Sequence, residues 1–193
     1  GSWTFNNNGN AAEEVRLKEG QAKVTTDKSL KPKMVLTHVI NGETYLDTGK
    51  TVTAVSDAPH VQEENIGLMA QGVKATTAPA NIVATGGWKE ANYEVTNYGT
   101  IDFTTSKKST AIYAESARVK NDGTIKLGES STGIYGVYRA DTESLTGVTN
   151  TVKVDTTANS SISLGKGSTG MYLVNAEKLN TAAGGTIQSA ISA

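Results

Sequence analysis

The stretch Asn97-Tyr98-Gly99-Thr100-Ile101-Asp102-Phe103 returns 24 residues later as Asn121-Asp122-Gly123-Thr124-Ile125-Lys126-Leu127. A second phrase follows each copy. Ser109-Thr110-Ala111-Ile112-Tyr113 becomes Ser131-Thr132-Gly133-Ile134-Tyr135 at an offset of 22, and recurs as Ser168-Thr169-Gly170-Met171-Tyr172. Two fainter copies flank these. Gly184-Gly185-Thr186-Ile187 echoes the first phrase, and Gly67-Leu68-Met69-Ala70 stands 44 residues before Ala111-Ile112-Tyr113-Ala114. The chain therefore carries a repeat of about 22–25 residues.

Within each phrase polar and apolar residues alternate. Ile125 and Leu127 share one face and Lys126 takes the other, as Ile101 and Phe103 do around Asp102 and Ile162 and Leu164 around Ser163. A four-residue strand cannot bury its apolar face alone. Stacking equivalent strands of successive repeats, about 4.8 Å apart, seals an apolar ladder inside and leaves a polar wall outside. Leucine-rich and helical-repeat spacings are absent, so the unit reads as one coil of a parallel β-helix. The predicted fold is all-β: a β-solenoid with two loop insertions, about eight coils and a length of roughly 40 Å. Ile101, Ile125, Ile162 and Ile187 are expected to form an inward ladder. Tyr113, Tyr135 and Tyr172 are expected to stack as a second ladder, on the wall opposite to Ile112, Ile134 and Met171. The Asn-x-Gly corners are expected because both residues tolerate positive φ.

Two segments break the rhythm. Ile134 and Met171 are 37 residues apart, a surplus that falls in Arg139 to Asn150. Between Ala75 and Asn92, the residues Pro79, Gly86, Gly87 and Trp88 interrupt the coil. Residues 1–64 match the repeat poorly and are predicted to form less regular N-terminal coils, with 65–193 forming the regular ones in one continuous domain. Gly1-Ser2 looks like a cloning scar, and the sequence reads as a piece of a longer protein. Ala11 to Lys18 reads as a short helix ended by Gly20. Met34 to Ile40 and Lys50 to Val55 read as strands, with a turn at Asn41-Gly42.

Composition narrows the function. The 193 residues carry 18 Lys and Arg against 19 Asp and Glu, a net charge of -1. No field steers such a chain onto nucleic acid. With no Cys there is no disulfide, thiolate zinc site, iron–sulfur cluster or Cys nucleophile. The 27 Thr residues favour strands. No apolar run is long enough for a spanning helix and no signal peptide is evident, so direct membrane insertion is not expected.

The search for chemistry assigns no catalytic residue, metal or cofactor. His38 and His60 are 22 residues apart, close to one coil, but lack further ligands at a metal spacing. Gly165-Lys166-Gly167-Ser168 lacks the spacing of a phosphate loop. Glu13-Glu14 and Glu63-Glu64 are adjacent in sequence, which in a strand sends them to opposite faces. Asp102 and Lys126 are expected to meet as an exposed ion pair of small worth. Asn121-Asp122-Gly123 lacks the nonapeptide calcium pattern. The tyrosine row reads first as a stiffening ladder and second as a sugar-stacking stripe. The residues best suited to recognition sit on the irregular segments: Trp88 after two glycines, and Tyr138 and Arg139 opening the second insertion. These residue types concentrate at binding hot spots, and binding residues favour loops on a rigid scaffold.

The phrases carried by Asn97 to Tyr113, Asn121 to Tyr135 and Ser161 to Tyr172 resemble the passenger domains of type V autotransporters, most of all the large fusobacterial outer-membrane adhesins. The resemblance covers about residues 65–187. It implies a right-handed parallel β-helix, exported and displayed on the bacterial outer-membrane surface, continuous with flanking coils of a parent chain. Its implied role is adhesion to a glycan or protein receptor on host or other bacterial cells. The phrases are scaffold, so no binding residue transfers. A pure stalk, or spacer, and a polysaccharide-active β-helix enzyme are the alternatives. Two carboxylates about 5–9 Å apart in an open groove would favour the enzyme.

Overall fold

The computed structural model describes residues 21–40, 42–55, 61–72, 82–85, 88–91, 94–137, 148–149, 153–174, 180–181 and 186–189. Among them there are strands and no helix. The Ala11–Lys18 segment lies outside the described residues. Three strands make a coil. The first coil is β1 (Gln21–Val24), β2 (Lys28–Leu30) and β3 (Val35–Ile40); the second is β4 (Glu43–Leu46), β5 (Thr51–Ala54) and β6 (Ile66–Gln71). After a hairpin of β7 (Ile82–Thr85) and β8 (Trp88–Ala91) comes the third coil, β9 (Glu94–Asn97), β10 (Thr100–Phe103) and β11 (Thr110–Glu115). The fourth is β12 (Arg118–Asn121), β13 (Thr124–Leu127) and β14 (Thr132–Val137). Then follow β15 (Val148–Thr149), the fifth coil of β16 (Lys153–Thr156), β17 (Ser161–Leu164) and β18 (Thr169–Val174), and finally β19 (Asn180–Thr181) and β20 (Thr186–Ser189).

Equivalent strands stack into three parallel sheets. The first sheet runs β1-β4-β9-β12-β16-β19, the second β2-β5-β10-β13-β17-β20 and the third β3-β6-β11-β14-β18. The chain is a three-faced parallel β-solenoid. Five complete coils and a partial sixth lie within the described residues, and the two insertions add chain between coils without adding a coil. Residues 21–71 complete two coils although only the faint copy at Gly67 to Ala70 repeats a phrase there. Their inward positions still alternate: Ala22 and Val24, Thr44 and Leu46, then Val52 and Ala54, all buried and all but Thr44 apolar.

Inside, the second sheet aligns Val52, Ile101, Ile125 and Ile162 in register, and the backbone of β20 continues the sheet with Ile187 opposite Ile162. The third sheet aligns Thr37, Leu68, Ile112, Ile134 and Met171. Ile101, Ile112, Ile125, Ile134 and Ile162 are essentially without solvent contact. Burying such a side chain contributes about 1.5–3 kcal/mol, so these rows hold the rod.

The corners have their own ladders. Asn97 Oδ1 accepts the Gly99 N–H at 3.0 Å, and its Nδ2 donates to Asn121 Oδ1 at 3.0 Å and to the Thr124 carbonyl at 3.3 Å. Neither Asn97 nor Asn121 is among the residues with positive φ, and nor is Gly123. Space, rather than φ, demands the glycine: a Cβ on Gly123 would stand 2.1 Å from the Gly99 carbonyl oxygen. Positive φ is a single case at two of the corners, at Gly49 and at Ser116, and recurs instead at the corner before the third sheet, at Lys33, Glu64, Lys108, Ser130 and Gly167. There a serine ladder runs down the coils. Ser109 Oγ accepts from Asn65 N, Ser131 Oγ from Ser109 N and Ser168 Oγ from Ser131 N, each within 3.1 Å. The Gly165-Lys166-Gly167-Ser168 string is this corner, with Ser168 Oγ donating to the Gly128 carbonyl at 2.7 Å.

Candidate functional site

Both insertions leave the rod at one corner, between the third sheet and the following strand of the first. One lies between β6 and β9, the other between β14 and β16. The unadorned corner needs only Ser116-Ala117, between β11 and β12. The insertions are not independent loops. β7 and β8 pair antiparallel, with Trp88 opposite Thr85, and β15 joins β8 in parallel through Val148 with Lys89 and Thr149 with Glu90. A small lateral sheet is thus shared between segments some sixty residues apart. Trp88 opens its central strand. Tyr138 and Arg139 lie outside the described residues, next in sequence after Val137 at the end of β14.

The outer row of the third sheet is His38, Met69, Tyr113, Tyr135 and Tyr172 in register. Tyr113 and Tyr135 stack with centroids 4.9 Å apart and planes 15° apart; Tyr135 and Tyr172 stack at 5.4 Å and 4°. Tyr135 has a ring on each side, so its faces are committed to the stack rather than offered to a sugar. His38 is in register with Met69, and His60 lies outside the described residues. The fully buried His38 donates from Nε2 to Gln71 Oε1, and Gln71 Nε2 donates to Glu115 Oε2 at 2.6 Å, a relay across three coils. Burial pushes the His38 pKa below its ordinary 6.5, with the Gln71 hydrogen bond and the Glu115 charge opposing.

A groove of about 400 Å³ opens on the outer face of the first sheet, lined by Gln21, Glu43, Thr44, Tyr45, Asp47, Glu94, Thr96 and Tyr98. Its parts come from coils one to three. Gln21, Glu43 and Glu94 are in register along one row, and Lys23, Tyr45 and Thr96 along the next. Gln21 Nε2 donates to Glu43 Oε2 at 3.3 Å, and Thr96 Oγ1 to Glu94 Oε1 at 2.7 Å. Tyr45 and Tyr98 meet edge to face, with centroids 6.3 Å apart and planes at 74°. The ammonium of Lys120 sits 5.6 Å from the Tyr98 ring centroid. Glu43 and Glu94 are 51 residues apart, with an insertion between them, so no local spacing joins them. The one legible signal was the matching alternation of Glu43-Thr44-Tyr45 and Glu94-Val95-Thr96.

The other sequence candidates are structural where they are described. Asp102 and Lys126 are in register, but the Asp102 carboxylate accepts from the backbone and hydroxyl of Thr104. Glu63 lies 4.0 Å from Lys33, and Asp122 accepts from Thr157. Among the described residues no three His, Asp or Glu side chains gather in a way that could hold a metal ion. No protein-family model, curated protein or solved structure matches the chain.

Proposed function

We propose that the chain is a segment of a bacterial surface adhesin: a stiff, non-enzymatic solenoid that holds a lateral sheet against a receptor on another cell. The observation that carries this is the pairing of β15 with β8, by which two separate insertions at one corner become a single projecting element. A spacer gains nothing from joining its loops, whereas a recognition element gains a fixed shape. The rod supplies distance and the sheet supplies contact.

The test follows from the unadorned corner. Residues 73–93 are replaced by one alanine and residues 138–152 by Ser-Ala, giving both corners the two-residue length of Ser116-Ala117. The trimmed protein is expected to keep its β-sheet circular dichroism and to lose binding to cultured epithelial and bacterial cells. A trimmed protein that binds as well as the parent refutes the reading. One observation favours a second reading. Glu43 and Glu94 are register neighbours in an open groove, and glycoside hydrolysis works through a pair of carboxyl groups. Release of reducing ends from polysaccharide, abolished by Glu94→Gln, would establish that reading instead.

A further inference from the structure

We propose that the groove on the first sheet is a binding site for an uncharged saccharide, formed by Tyr45 and Tyr98 as walls and Glu43, Glu94, Asp47 and Gln21 as hydrogen-bonding groups. This does not depend on the lateral sheet being adhesive. At about 400 Å³ the groove falls within the range of small-ligand clefts, about 300–1,000 Å³. Its depth has a simple cause. Thr96 points outward but is only 4% exposed, because it is a short side chain between the longer Tyr45 and Lys120 of the neighbouring strands. The dent is therefore set by strand register, which the corner residues Asp47 and Tyr98 continue through N–H bonds to the Val24 and Leu46 carbonyls at 2.9 Å, so it is formed before any ligand arrives.

The chemistry of the lining selects the ligand. The edge-to-face tyrosines give two apolar surfaces at nearly a right angle. Around them stand carboxylates that accept hydrogen bonds, an amide that both donates and accepts, and tyrosine hydroxyls. A pyranose has apolar C–H faces and a rim of hydroxyls that donate and accept, which matches both features. Charge excludes the competitors. The three carboxylates Glu43, Asp47 and Glu94 disfavour an anionic sugar. Against a cationic ligand stand Lys23, in register with Tyr45, Arg118, in register with Glu94, and Lys120, whose ammonium already lies by the Tyr98 ring. The site has carboxylates within and cations on its margin, and a neutral polyol loses least by entering it.

The experiment is saturation-transfer NMR and calorimetry on the whole chain with lactose, N-acetyllactosamine and cellobiose. Sialyllactose, a heparin disaccharide and hexa-arginine serve as charged probes. At least one neutral disaccharide is expected to bind. Tyr45→Ala or Tyr98→Ala should weaken it about tenfold, the worth of one lost aromatic contact. Glu94→Gln, which keeps the shape, should weaken it similarly, and Tyr172→Ala on the third sheet should leave it unchanged. If the tyrosine variants lose their β-sheet signal, Glu94→Gln decides. The proposal is overturned if no neutral disaccharide binds, if binding ignores Glu94→Gln, or if a charged probe binds more tightly than every neutral sugar.

Discussion

Replacing Ile125 with Asp asks which of the two ladders holds the rod together. Ile125 is fully buried between Ile101 and Ile162, its register neighbours. Losing the side chain costs about 2–5 kcal/mol by the usual cost of a buried aliphatic truncation. An unpaired carboxylate in the same place adds several kcal/mol of desolvation. The total is comparable to the whole stability of a domain, about 5–15 kcal/mol. Tyr135 stands on the outer wall, and Tyr135→Ala removes two ring contacts of about 0.5–1.5 kcal/mol each. Tyr172 is 51% exposed and, among the described residues, stacks on one tyrosine only, so Tyr172→Ala should cost about half as much. Urea denaturation followed by far-ultraviolet circular dichroism measures all three. Ile125→Val, at about 0.5–1.5 kcal/mol, calibrates the inner position. The expected order of loss is Ile125→Asp, then Tyr135→Ala, then Tyr172→Ala. A Tyr135→Ala loss equal to that of Ile125→Asp would show that the outer stack, not the inner rows, carries the fold.

Asn97→Ala should cost about 2–3 kcal/mol, since three hydrogen bonds of roughly 1 kcal/mol each are lost. Asn121→Ala should cost less, because the buried Nδ2 of Asn121 has no acceptor and its removal relieves a penalty; equal losses by chemical denaturation would contradict the ladder as described. The lowered pKa of His38 makes stability fall with acid. The unfolded chain binds this proton at about pH 6.5 and the folded chain only lower, so the contribution is complete above 6.5 and is lost as pH falls from there through the folded pKa. Melting temperatures between neutral and mildly acidic pH should therefore decline more steeply for the parent than for His38→Gln, and parallel curves would exclude His38 as the cause.

The inward rows were legible in the sequence because burial forces period-two alternation, and alternation survives wherever a strand has one wet face. Ile101, Ile125 and Ile162 could be aligned from their phrases alone. The first two coils were harder, since Leu30, Thr44 and Val52 satisfy the same burial without the same words. The corner glycines were seen but given the wrong reason. Sequence shows that a glycine recurs, and only coordinates show that the Gly99 carbonyl leaves no room for a Cβ on Gly123. The groove was illegible for a different cause. Its residues are joined by register across 51 residues, and the count between Glu43 and Glu94 depends on how much chain is spent outside the rod. The lateral sheet was half legible. Both insertions were located, but their pairing through β15 and β8 follows from leaving at the same corner, which a linear count cannot show.

Covalent continuity keeps successive coils in sequence, but with such similar inner rows one coil could be looped out and the next stacked in its place, because Ile101, Ile125 and Ile162 pack almost interchangeably. The corner before the third sheet supplies an answer. Successive coils place Glu63, Lys107, Glu129 and Lys166 on one ridge, stacked by a backbone β-bridge between Glu63 and Lys107, by the Lys107–Glu129 ion pair at 3.7 Å, and by the bond from Ser130 N to the Lys166 carbonyl. The sign of the charge alternates at every step. Each exposed pair contributes little to stability, about 0–1 kcal/mol. Moving a coil one step along the rod, however, would set glutamate against glutamate or lysine against lysine, and the cost of the wrong order is where such pairs matter. The apolar rows make any stack of coils stable, and the charged ridge favours one stack over the others. Only with that order fixed do Tyr45 and Tyr98 meet across coils two and three, and only then do two insertions emerge close enough to share a sheet.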